Sequence, residues 1–355
     1  KPSGEWIMAY TTIDDPSVYF QSVLWQGNGS SGRAITLDGN SDLQPDLVWV
    51  KDKTDTEAHK LFNTISGATK SVRSQDNSIE ATVAEDLQSF DSDGFTVGSN
   101  GSVNKSNGDR YVAWCWKAGG SSSTNTDGNL DTTVSANATA GFSIVKYVGE
   151  QSGTQTFGHG LNNVPKMILL KKLDTAASDW VVYHEGITSA NRLKLNTTDA
   201  SSSSPNWRAT PTSSVFNSNS SNIINTSGHT YLAYVFADVQ GFSKMGSYTG
   251  NGNADGTFVY LGFKPAWIMT KRTDSADDWQ ICDNKRDPDN AVFSQLNANS
   301  SAAENTSDAK VDFTSQGFKI RKAGGSWNAS GGSFIYMAFA ENPFVTSTGV
   351  PATAR

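Results

Sequence analysis

The sequence predicts an all-β protein built of three tandem, homologous β-sandwich modules in a jelly-roll-like arrangement. Three observations lead there. One stretch occurs three times in altered form: Gly108-Asp109-Arg110-Tyr111-Val112-Ala113-Trp114-Cys115-Trp116, Gly228-His229-Thr230-Tyr231-Leu232-Ala233-Tyr234-Val235-Phe236 and Gly331-Gly332-Ser333-Phe334-Ile335-Tyr336-Met337-Ala338-Phe339. Each is a turn glycine, two linking residues and a run of aromatic, β-branched and small apolar residues, which reads as a strand entered from a turn. Second, ordered landmarks precede each copy. Proline-led apolar runs begin 63, 63 and 66 residues before the glycine, at Pro45, Pro165 and Pro265, and Gly94-Phe95, Ser214-Val215 and Gly317-Phe318 begin 14 residues before it. Third, charged residues make up only 18% and hydrophobic ones 36%, with Gly, Ser, Thr and Asn filling the gap. That balance suits short strands joined by many turns, on an extracellular or particle-surface protein.

The chain divides accordingly. Residues 1–16 form an N-terminal arm, 17–118 the first module, 119–138 a linker, 139–240 the second module, 241–344 the third, and 345–355 a polar tail. Modules of roughly 100–120 residues have ordinary domain size. Each opens on an apolar strand: Leu24-Trp25 before the Asn28-Gly29 turn, Lys146-Tyr147-Val148, and Ser247-Tyr248-Thr249 before Asn251-Gly252. Asn-Gly tolerates positive φ at both positions and so favours tight hairpins. After the proline-led strand comes a polar turn and a short strand around Lys60-Leu61-Phe62, Trp180-Val181-Val182-Tyr183 and Trp279-Gln280-Ile281-Cys282. Thr82 to Phe90 reads as a short helix, and about six to eight strands are expected per module. In the strand Tyr111 to Trp116, Tyr111, Ala113 and Cys115 alternate with Val112, Trp114 and Trp116, so both faces are apolar and both must be covered. The run Gly119-Gly120-Ser121-Ser122-Ser123 has the composition of a flexible connection. No such run separates modules two and three, which are therefore expected to pack in a fixed geometry.

The candidates for chemistry are few. His59, His159, His184 and His229 lack metal-ligand spacing and read as packed or solvated side chains. Cys115 and Cys282 fall in apolar strands of different modules and read as small buried hydrophobes. Two acidic turns could offer oxygens to calcium, Asp91-Ser92-Asp93 and Asp283 with Asp287 and Asp289, although neither supplies a full ligand set; no other cofactor is implied. No nucleophile elbow, phosphate loop or zinc-protease helix occurs. A net charge of −7 argues against nucleic acid as a partner, and the absence of a run of about eighteen apolar residues argues against membrane insertion by a helix. Trp207 and Trp327, in polar surroundings, are the candidates for an exposed aromatic platform that could stack on sugar rings.

Asp14-Asp15-Pro16, Leu43 to Lys51, Tyr111 to Trp116, Gly241-Phe242-Ser243-Lys244 and Tyr336 to Phe344 resemble a family of virion structural, tail-fibre-like proteins of marine tailed bacteriophages, cyanophages included. The resemblance runs from about Met8 to Arg355. It implies a non-enzymatic particle component on the virion surface, outside the cell; the doubly apolar strands and polar surface suit assembly as a homo-oligomer, with other virion proteins as further partners. The expected role is tail fibre or receptor-binding component. The alternatives are head decoration, a lectin-like adhesin for host surface glycan or another host receptor, and, more remotely, a surface polysaccharide hydrolase.

Overall fold

A computed structural model describes residues 9–352 apart from 107, 152, 204–206, 208 and 220–222. Among the described residues, helix is confined to a 3-10 turn at Pro16–Val18 and two four-residue helices, Gly101–Asn104 and Gly325–Asn328. The rest of the regular structure is strand, all-β as expected.

The sheets fall into three lobes that repeat one pattern. In lobe 1 the large sheet runs, in spatial order, Phe20–Gln26, Arg110–Trp116, Leu47–Asp52, Lys60–Asn63, Lys70–Val72 and Ala81–Thr82. Lobe 2 places Phe142–Val148, Thr230–Phe236, Met167–Lys172 and Val181–His184 in the same order, and lobe 3 does so with Ser243–Thr249, Ser333–Pro343, Phe263–Arg272 and Trp279–Asp283. Every pairing is antiparallel. The recurrent stretch is thus the second of the four strands common to the large sheets, bonded on both edges. A small sheet covers one face: Arg33–Thr36, Gly94–Val97 and Leu87–Asp91 in lobe 1, Gln155–Gly158 with Val215–Ser218 in lobe 2, and Phe258–Tyr260, Gly317–Ile320 and Val311–Thr314 in lobe 3.

Between its two sheets each lobe has its own core, and the cores match position by position. A cross-strand ring pair stacks in each: Trp25 on Tyr111 (5.3 Å), Tyr147 on Tyr231 (5.1 Å) and Tyr248 on Phe334 (4.9 Å). Stacked cross-strand aromatics are among the stronger sheet pairs, contributing up to ~1 kcal/mol each beyond Ala. The polar end of the first ring donates to a backbone carbonyl in all three, at Val103, Ile224 and Trp327. The turn glycines Gly108, Gly228 and Gly331 have φ of 88°, 76° and 71°, a conformation that a Cβ disfavours.

The opposite faces of the three large sheets meet one another. They enclose a fourth apolar cluster, the hub, with Trp49, Trp114, Trp116 and Phe20 from lobe 1, Leu169, Tyr234 and Phe236 from lobe 2, and Trp267, Met269, Met337 and Phe339 from lobe 3. Rings from different lobes pack edge to face: Trp116 on Trp267 (5.7 Å, 90°) and Phe236 on Phe339 (6.0 Å, 64°). The second apolar face of the recurrent strand is therefore covered by the rest of the chain.

Two expectations are corrected. Residues 119–138 are not a flexible linker. Ser123–Asn125 and Thr132–Asn137 add two strands to the edge of the lobe 2 sheet, and the Asp46 carboxylate accepts from the N–H groups of Ala118 and Gly120. Backbone pairing at a solvent-facing edge needs no apolar side chains, so composition did not reveal it. Residues 82–90 form no helix; the chain turns there and enters the strand Leu87–Asp91, whose backbone pairs with Gly94–Val97. The described part of the arm is docked: the Thr11 hydroxyl donates to Gln240 O (2.8 Å), Tyr10 to Gly262 O (2.6 Å), and Ile13 enters the hub. The tail folds back on it, the Ser347 N–H donating to Asp14 Oδ1 (2.6 Å).

Candidate functional site

Trp207 and Trp327 do not form an exposed platform. Trp207 is 3% exposed and packs against Tyr183 and Phe216 in the lobe 2 core. Trp327 is fully buried in lobe 3 at the position of Val103 and Ile224, and its Nε1–H donates to Gln295 Oε1 (2.9 Å). Polar neighbours in sequence concealed both; for Trp327, the short helix Gly325–Asn328 turns that one large side chain inward. The acidic turns are occupied by the protein itself. Asp91 accepts from Ser89 and Thr96, Asp93 from Leu43 N–H, and Asp287 from Phe293 and Ser294 N–H. Asp283 is buried against the Arg286 guanidinium (2.6 Å), which also reaches Glu304 (2.9 Å), so the cation at this cluster is a side chain. Among the described residues no cluster of three or more His, Cys, Asp or Glu could hold a metal.

The chemistry-bearing residues concentrate instead at the seams between lobes, in two rings of hydrogen bonds around the hub. At the start of the fourth strand, His59 Nε2 bonds Asn297 O (3.1 Å), Trp180 Nε1 donates to Arg73 O (2.7 Å) and Trp279 Nε1 donates to Lys194 O (2.8 Å). These run from lobe 1 to 3, 2 to 1 and 3 to 2. Four residues on, Asn63 donates to the Tyr234 hydroxyl (3.4 Å), His184 Nε2 bonds Tyr336 O (3.1 Å) and Asp283 accepts from Trp114 Nε1 (3.1 Å). These run in the opposite sense, 1 to 2, 2 to 3 and 3 to 1. His59 stands where the other lobes have Trp180 and Trp279; the ring it completes is a property of the assembled lobes.

Both seam histidines have one defined tautomer. His59 Nδ1 accepts from Trp49 Nε1 (2.9 Å) and His184 Nδ1 accepts from Gly186 N–H (2.9 Å), so in each the Nε2 carries the proton and donates. Burial holds His59 well below the usual histidine range, aided by Lys51 and Arg286, and burial lowers His184 to about 4. Three lysines end the proline-led strands. Lys51 donates to Asp55 O (3.2 Å), Lys171 to Ser178 O (2.5 Å) and Lys271 to Asp277 O (2.6 Å) and, across the seam, Thr198 O (2.9 Å). Burial lowers each to about 8. Their amines tie down the following turns. Burial pushes the thiols of Cys115 and Cys282 far up, which leaves them inert.

Several clefts open at the surface, among them these two. One, of about 340 Å³, lies where lobes 1 and 3 meet, among Gln21, Asp38, Asn40, Lys285 and Glu341. Lys285 pairs with Asp38 (2.5 Å), and Glu341 with Lys264 (2.9 Å) and Asn284 (2.7 Å). It is a seam closed by ion pairs. The other, of about 700 Å³, is a shallow groove on lobe 2 along Asp131, Lys146, Val148 and Glu150.

No helix among the described residues is long and apolar enough to cross a membrane. No curated protein and no solved structure matches the chain. A family model described as a domain of unknown function, DUF7483, matches residues 15–343. That match spans all three lobes and the seams between them, and the chain belongs to this family.

Proposed function

We propose that the chain is a non-enzymatic structural protein of a tailed-phage virion, exposed on the particle surface and serving as a tail-fibre or receptor-binding component. The observation that supports this is the hub with its two rings. The groups that elsewhere do chemistry, imidazoles, indoles and lysine amines, here bridge lobes or hold turns, which suits a rigid body made to present its outer surface. The resemblance of the Pro45, Tyr111 and Tyr336 stretches to virion proteins supplies the setting. A second reading, head decoration, is favoured by the arrangement of three equivalent lobes around one hub, which suits a site of local threefold symmetry on a shell. The doubly apolar strands that pointed to self-association are covered within the chain, so the proposed partners are chiefly other virion proteins.

The test is immunogold imaging of intact particles with an antibody raised against the folded chain. Labelling at the tail tip or fibres supports the first reading and labelling over the head the second. Purified particles that carry none of the protein overturn both. Sedimentation of the purified chain at micromolar concentration checks self-association: a monomer is the expected result.

A further inference from the structure

The outer face of the lobe 3 small sheet differs from its two counterparts. In the edge strand Phe258–Tyr260, Val259 points into the core while Phe258 and Tyr260 stand on the outer face, 46% and 51% exposed. Residues two apart on a strand share a face at roughly 7 Å spacing. The inward residue fixes the equivalences, since Ile35 pairs with Phe95, Phe157 with Phe216 and Val259 with Phe318. Phe258 and Tyr260 therefore correspond to Ala34 and Thr36 in lobe 1 and to Thr156 and Gly158 in lobe 2. The framework closes twice without a ring at either position, so closing the small sheet does not require the rings of lobe 3.

Tyr260 is held in place, and the charges around the pair are compensated. Lys244 Nζ lies 5.4 Å from the centre of the Tyr260 ring and donates to Tyr260 O (2.9 Å), and the Tyr260 hydroxyl hydrogen-bonds with the Tyr10 side chain, which holds the ring while half of it stays exposed. Across the sheet, Phe258 faces Lys319 and Tyr260 faces Gly317, which adds no side chain. The charges on this face satisfy one another: Lys319 pairs with Asp255 (2.7 Å), and Arg321 with Asp312. Two rings about half exposed offer on the order of 200 Å² of apolar surface, far below the roughly 800 Å² per partner of a stable protein interface. Two exposed rings two residues apart on one strand, bordered by self-compensated polar groups, match the apolar C–H face and hydroxyl rim of an uncharged sugar.

We infer that Phe258 and Tyr260 form a stacking platform for a neutral polysaccharide, with Lys319, across the sheet from Phe258, placed to meet sugar hydroxyls. This deepens the receptor-binding reading above and takes its biological setting from it, but binding itself belongs to the isolated chain. The test is affinity gel electrophoresis of the purified full chain in gels containing a soluble β-glucan, a galactomannan, an α-glucan or, as the charged comparison, alginate. Retardation by at least one neutral polymer is expected, weakened at least tenfold in Phe258→Ala and Tyr260→Ala and unchanged in Leu24→Ala, an exposed apolar side chain of lobe 1. Phe258 is a surface group, so an unchanged melting curve will accompany its loss. Failure to bind any neutral polymer, binding that survives the double substitution, or binding of alginate alone overturns the platform; so does dimerisation that the Phe258→Ala change abolishes. Particle labelling without polysaccharide binding defeats the platform alone, and binding by a protein absent from particles defeats the virion reading alone.

Discussion

The lobe cores and the hub are built from opposite faces of the same strands, yet they use sequence differently. In the lobe cores, matched positions keep one kind of residue: Trp25, Tyr147 and Tyr248; Phe95, Phe216 and Phe318; and the buried amides Asn104, Asn225 and Asn328, which accept from the N–H groups of Asn28, Glu150 and Asn251. In the hub, matched positions diverge: Trp49, Leu169 and Met269; Trp114, Tyr234 and Met337; His59, Trp180 and Trp279. Each lobe core closes on itself, so one packing solution serves three times. The hub is a single volume filled from three sides, where the combined shape matters and three identical large side chains would compete for one space.

The largest test of that contrast is Trp267→Ala. Trp267 is fully buried and touches Trp114, Trp116, Phe20 and Phe339. Its removal is expected to cost about 3–5 kcal/mol in urea unfolding. The lobes should also separate, with a larger radius of gyration by X-ray scattering, while the lobe-core ring pairs keep their near-UV dichroism. Simultaneous loss of both signals would mean that hub and lobe cores are not distinct units.

Acid should act on the seams. His184 is neutral in the folded protein, with its pKa at about 4 against roughly 6.5 when unfolded. The unfolded state therefore binds more protons between those values, and the stability that His184 contributes is complete above pH 6.5 and lost as pH falls towards 4. Protonation would turn Nδ1, the acceptor for Gly186 N–H, into a donor; Lys166 nearby opposes it too. Asp238, raised to about 6 by burial at the junction of lobes 2 and 3, works in the other direction. The difference in stability between the native chain and His184→Gln isolates the histidine: it should shrink by about 3 kcal/mol between pH 6.5 and 4. A pH-independent difference would remove His184 from the account.

A smaller effect is expected from Trp180→Phe, which keeps most of the ring but orphans Arg73 O at the lobe 1–lobe 2 seam. About 1–3 kcal/mol is anticipated from the unpaired buried group. A cost nearer zero would show that the ring of seam bonds is incidental to the packing around it.

Much of the fold was legible. The Gly-led strands, the proline-led strands and their constant spacing located the second and third of the four strands common to the large sheets, because turn chemistry and alternation are local. The seams were not. Nothing near His59 in sequence announces Asn297, and nothing near Asp283 announces Trp114, because those partners meet only when separate sheets pack. Trp207 and Trp327 misled for a related reason: polar neighbours in the chain say little about the space that a single large ring enters. Phe258 and Tyr260 passed unnoticed because alternation around Val259 resembles an ordinary edge strand until burial is known.

The sequence by itself determined the strand, its two apolar faces and the number of times the pattern is used, since these follow from side-chain period and backbone stereochemistry. Only the tertiary structure decided what covers the second face. Burial of apolar surface is non-directional, so a doubly apolar strand states that a partner surface exists without stating whose. Here the other two lobes supply it.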